Sequence, residues 1–157
     1  MEWTKDKFKI STDKTLLNLE AVHNYLSKES YWAKNISKAK IKTACENSLC
    51  FGIYENENHT LPTSKQIGLA RVVTDYATFA YLCDVYVVPE YQGTGLGKWL
   101  MNCVMAHPNL QTLKRFILAT KDAHGLYEQV GFTSLKNPDR HMEYRNVKVF
   151  DGEWLVE

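Results

Sequence analysis

Apolar residues recur along this chain at two intervals, and the interval changes at Gly95. Before it lie short β-rich runs: Phe8 and Ile10, then Leu49 to Tyr54, Gln66 to Val73 and Thr78 to Val88, each of a length that predicts a strand. Thr74-Asp75-Tyr76-Ala77 joins the last two as an antiparallel connection, and the polar stretch ENENHTLPTSK separates the second from the third, so a three-stranded meander is expected. Helical spacing appears earlier at Leu16, Leu19, Val22, His23 and Leu26, after the cap-like Ser11, Thr12 and Asp13, and a weaker helix is predicted from Ser37 to Glu46. From Gly95 the period lengthens. Leu96, Trp99, Leu100, Cys103 and Val104 form one apolar stripe that Pro108 ends. Arg115 to Thr120 predicts a buried strand, and Ala123, Leu126, Tyr127 and Val130 a second amphipathic helix with Gly131 at a left-handed cap. That strand, helix, strand, helix order implies a parallel pair in the sheet. A final strand is predicted from Phe132 to about Tyr144, whereas VKVFDGEWLVE leaves a strand, a docked tail and a partner-binding segment all open.

A chain of 157 residues suits one domain, taken as 1–157, with residues 66–132 as its working core and 145–157 as a segment without an assigned role. Nineteen basic residues against eighteen acidic ones leave a formal charge of +1, which argues against a nucleic-acid partner. The amino-terminal MEWTKDKFKISTDK alternates charge with apolar residues, and no stretch has the length to span a bilayer, so the expectation is a cytoplasmic protein with no membrane partner. Cys45, Cys50, Cys83 and Cys103 match neither a zinc pattern nor a redox pair, and His23, His59, His107 and His141 lack metal-ligand spacing, so no metal is expected.

The chemistry is concentrated in VYVVPEYQGTGLGKWL, Val85 to Leu100, where a strand stops at Pro89 and a glycine-rich turn opens a helix. Such a helix start has unpaired N–H groups and the positive end of the dipole, a fit for phosphate. Spacing separates the ligand classes. A dinucleotide fingerprint would need glycine at Lys98, and a nucleotide P-loop would need glycine at Gln92 and a hydroxyl at Trp99. Gln92-Gly93-Thr94-Gly95-Leu96-Gly97 instead resembles motif A of the GNAT superfamily of N-acetyltransferases, and TKDAHGLYEQVGF resembles its later motif through Ala123, Leu126-Tyr127 and Gly131-Phe132. The likeness covers about Gln66 to Phe132.

The resemblance implies an α/β (α+β) fold: a central mixed, mostly antiparallel sheet flanked by helices, with a parallel splayed pair at the cofactor site. It implies acetyl-CoA as cosubstrate, with its pyrophosphate on Gln92 to Gly97 and Lys98 near a phosphate, and direct attack by an amine on the thioester. Main-chain N–H groups of Val85, Tyr86 and Val87 would serve the acyl and pantetheine region, and Tyr127 would protonate the departing thiolate. Where the family often carries Asn seven residues before the tyrosine, this chain has Thr120. Asp84, a carboxylate in an apolar strand, is the leading base; its structural alternative is an acid satisfied by Arg71 on the neighbouring strand, and Asp75, Asp122 and His124 are weaker rivals. Tyr25, Tyr31 and Trp32 fall on the acceptor side. A small-molecule amine is the expected partner, with room for a homodimer; a protein N-terminus or lysine as acceptor, and a non-catalytic acyl-CoA-binding domain, are the competing readings.

Overall fold

A computed structural model describes residues 1–56 and 64–146. Six strands form one sheet in chain order: β1 (Glu2–Lys5), β2 (Phe8–Ser11), β3 (Leu49–Glu55), β4 (Lys65–Thr74), β5 (Phe79–Val87) and β6 (Arg115–Leu118). Neighbours are antiparallel from β1 to β5, and β5 with β6 is the parallel pair. That crossover is carried by α3 (Leu96–Met105), with α4 (His124–Glu128) following β6, while α1 (Leu19–Asn24) and α2 (Lys38–Glu46) precede β3.

Alternation along the strands sends side chains to two helix layers. On one face Phe51, Ile53, Ala70, Val72 and Leu82 pack with Leu96, Leu100, Cys103 and Val104 of α3, from the stripe expected from the sequence, and with Met101 beside them, while Trp99 is only partly buried there. On the other, Cys50, Leu69 and Tyr86 meet Val22, Leu26, Ile41 and Cys45 from the α1–α2 layer. Leu69 and Ala70 are neighbours in the chain and belong to opposite cores.

Three elements differ from expectation. The amino-terminal MEWTKDK contributes β1, a hairpin partner of β2 turned at Asp6 with φ 52°, and Trp3 lies 5.9 Å from Phe51, covering the core edge. The first helix is divided: a 3-10 turn at Lys14–Leu16 is capped by Asp13, then α1 starts afresh under Asn18, whose side chain accepts from Ala21 N at 3.1 Å. It widens into a π turn over Tyr25–Glu29. No strand forms between Phe132 and Tyr144; Pro138 instead opens a 3-10 turn to Arg140, and Met142 and Tyr144 are 98% and 95% exposed. Proline cannot donate to a ladder, and these side chains have no second layer to bury against. Most of the ENENHTLPTSK connection, residues 57–63, and the terminal 147–157 lie outside the described residues.

The β4–β5 connection is held by one carboxylate. Asp75 Oδ1 accepts from the N–H groups of Ala77, Thr78 and Phe79 at 2.9, 2.8 and 3.1 Å, and Oδ2 accepts from the Thr78 hydroxyl. The Thr78 hydroxyl and these amides hold its carboxyl well below the usual carboxylate range. A depressed folded value means the contribution is complete above the ordinary carboxylate range and lost as pH falls towards the folded value. Asp75→Ala is expected to lower the thermal midpoint by a few degrees at neutral pH, and the difference from wild type should shrink in acid; a constant difference down to strongly acid pH would refute this.

Candidate active site

β5 and β6 pair only from Phe79 with Arg115 to Leu82 with Leu118. There β6 ends, but β5 runs on to Val87, so the two strands fork. On its other side β5 is bulged: Arg71 pairs with Cys83 and Leu69 with Tyr86, and the surplus residue is accommodated where Asp84 takes φ 50°. A cavity of about 600 Å³ fills the fork, walled by Trp32, Asp84, Val85, Thr120, Ala123 and Tyr127 among others.

The main chain of β5 past the fork has no partner strand on the β6 side. Val88 N donates to Ile67 O at 2.9 Å across β4, so by alternation Val87 faces the opposite way; its carbonyl accepts from Gln92 Nε2 at 2.8 Å. The Val87 N–H therefore points to the open side. Tyr86 alternates away: its ring stacks on Tyr25 at 3.8 Å in the α1–α2 layer, which also removes Tyr25 from the cavity.

The glycine turn leads from this strand into α3. Gly93 and Gly95 have φ of 76° and 84°, a conformation costly for any residue with a Cβ, and a Cβ at either would meet nothing within 4 Å. Gly95 caps α3 without a side-chain hydrogen bond, and Trp99 N to Gly95 O is the first helical bond. The N–H groups of Leu96, Gly97 and Lys98 are thus left without helix acceptors, beside open space. Leu96 is buried beneath the turn and offers only its main chain; Lys98 is exposed in the first turn. Gln92 and Thr94 brace the loop, the latter through its hydroxyl to Tyr91 O at 2.5 Å.

Across the fork, Tyr127 is 9% exposed and lines the cavity, its hydroxyl without a hydrogen-bond partner among the described residues. Burial, reinforced by Tyr31 and Asp122, pushes its phenol up to about 12, so it keeps its proton at neutral pH. Thr120 Oγ1 accepts from Ala123 N at 3.0 Å, shaping the turn into α4 and leaving the hydroxyl proton available. Asp84 realises its structural alternative: Oδ2 accepts from Arg71 Nε at 2.7 Å and Oδ1 from Trp32 Nε1 at 3.0 Å, while Arg71 also donates to Ser48 Oγ at 2.9 Å. It still lines the cavity. Of its rivals, Asp75 is consumed by the distant turn, Asp122 lines the cavity and His124 is exposed on α4. Tyr81 and Glu143 also line it and carry no signal in the sequence, because a polar residue on a strand or in a loop has no pattern of its own. Tyr31 OH accepts from Lys121 N at 3.2 Å, joining the segment after α1 to the turn before α4. Among the described residues no helix is long and apolar enough to cross a membrane, and no His, Cys, Asp or Glu cluster is arranged for a metal ion.

Comparison with known proteins agrees with this geometry. Residues 46–134 match the family model of the acetyltransferase (GNAT) domain. A Gibberella zeae protein assigned as an acetyltransferase is 36% identical over 138 residues, 80% of this chain and 78% of its own length. The N-acetyltransferase ycf52 of Pyropia yezoensis, itself uncharacterized, is 31% identical over 69% of this chain and 60% of its own length. The crystal structure of a Xanthomonas campestris protein assigned to GNAT acetyltransferases has a TM-score of 0.82 and 46% identity, covering 91% of this chain and 96% of that one.

Arg71 and Asp84 are 16% and 12% exposed at their side chains, so each is costly to leave unpaired. Arg71→Met is expected to destabilise the chain by roughly 3 kcal/mol in urea unfolding, and adding Asp84→Asn should recover much of that loss. Strictly additive losses would show that the pair does not act as a unit.

Proposed function

Because the chain belongs to the GNAT acetyltransferase family, we propose that it moves an acetyl group from acetyl-CoA to the primary amine of a small molecule. The observation that carries this reading is the unpartnered, proton-holding hydroxyl of Tyr127, facing a fork whose opposite wall is bare main chain.

Three uncapped N–H groups at the head of α3 and the open space over Gly93 and Gly95 suit a diphosphate, with Lys98 adding positive charge. The thioester arm would lie along the unpaired side of β5, with the Thr120 hydroxyl as a donor from the facing turn. The amine nitrogen attacks the thioester carbon and a C–N bond forms, while the Val87 N–H stabilises the charge that develops on oxygen. The C–S bond then breaks with its electron pair on sulfur, which takes the Tyr127 proton. The proton lost by the ammonium passes by way of Asp84, whose oxygens retain lone pairs beyond those used by Arg71 and Trp32, and Tyr127 is reprotonated from solvent. Amine and acetyl-CoA thus give amide and free CoA thiol.

Acetyl-CoA is expected to raise the melting temperature where ATP and NAD do not, and amines are expected to drive thiol release. Tight binding without release across an amine panel would support an acyl-CoA-binding domain instead. Tyr127→Phe should reduce kcat by about 100-fold while leaving acetyl-CoA binding intact; an unchanged kcat would remove Tyr127 as the acid. Asp84→Asn should depress turnover most at low pH with acetyl-CoA affinity preserved, and a flat effect across pH would exclude Asp84 as proton acceptor.

A further inference from the structure

Behind the Trp32 indole lies a second cavity of about 180 Å³, walled by Leu26, Ala33, Ile36, Ile41 and Ala44. Trp32 and Asp84 line both this cavity and the fork. The wall they share is therefore the hydrogen-bonded pair of Trp32 and Asp84. Trp32 is 40% exposed and stands on irregular chain between the π turn and α2, and its indole is tied by its single Nε1–H to Asp84. Cys45, Arg71 and Asp84 also line the smaller cavity, the last two paired at 2.7 Å, so its polar groups lie at the sheet side and its aliphatic surface on the side of the π turn and α2.

We propose that this smaller cavity is the subsite for a compact apolar tail on the amine acceptor, and that Trp32 sets how much tail is admitted. The inference rests on the acetyltransferase reading above. An acceptor nitrogen beside Asp84 stands at the boundary of both spaces, so its carbon substituent has the fork on one side and the aliphatic recess on the other. An apolar cavity of about 150 Å³ takes a guest of benzene size, which makes a branched group of four or five carbons the natural occupant. Burying those carbons favours a tailed amine over its truncated analogue, because the recess gives methylamine nothing to fill it.

Thiol release by the full chain, with saturating acetyl-CoA, is measured for methylamine and 3-methylbutylamine. In wild type kcat/KM should favour 3-methylbutylamine by about tenfold or more. Ala44→Leu extends a side chain from α2 into the recess and should bring that ratio close to one with an unchanged melting temperature; Trp32→Ala should move the preference to a longer amine such as hexylamine. Equal rates for the two amines in wild type, or a ratio unaltered by both substitutions, overturns the subsite and leaves the acetyltransferase reading standing. Absence of amine-dependent thiol release with every amine overturns that reading and the subsite with it.

Discussion

Backbone N–H and C=O groups must find partners, and a strand that outlives its neighbour leaves its own unmatched. β5 is such a strand: pairing with β6 stops at Leu82 and Leu118, and beyond Leu82 the β5 main chain faces a cavity instead of a ladder. The rest of the site is arranged around that interruption. The same strand feeds the glycine turn, the turn opens α3 without a side-chain cap, and the chain returns through β6 to set Tyr127 on the far wall. One departure from sheet regularity thus leaves β5 main chain without a ladder partner, leads on into an anion-compatible helix mouth and lets the chain after β6 bring a phenol to the fork.

The bulge at Asp84 is its counterpart on the β4 side. An aspartate with φ 50° in the middle of a strand is tolerated because Arg71 and Trp32 fix the carboxylate from two directions. The pair also ties β4 and β5 to the segment after α1, so the wall on which an acceptor would rest is anchored in the sheet. Tyr86 performs the same coupling through packing, since its ring against Tyr25 clamps β5 to the α1–α2 layer.

Much of this architecture is legible in the chain for definable reasons. The α3 stripe, the strand from Arg115 and the parallel pair are written in period and order, and the glycine turn in spacing that survives any tertiary context. Thr120 and Asp84 stand out by residue type, but their hydrogen bonds depend on a cap and on a residue 52 positions away, which no local pattern contains. β1 is hidden by its charges, because an edge strand needs only Trp3 on its inner face. The strand expected after Phe132 fails where apolar residues are counted without asking what they would pack on; Pro138 and the exposed Met142 and Tyr144 supply the answer. The cavity behind Trp32 has no sequence signature, because it arises where the π turn, the segment after it, α2 and the β4–β5 pair converge.

The contact between Tyr31 and Lys121 spans 90 positions of chain with one hydrogen bond and a lysine ammonium 5.6 Å from the centre of the Tyr31 ring. Such a bond is worth about 1 kcal/mol net, little more than thermal energy. Tyr31 and Lys121 thus close one rim of the cavity from distant parts of the chain with contacts that cost little to part, while the strands beneath hold their register through ladders that cost much more.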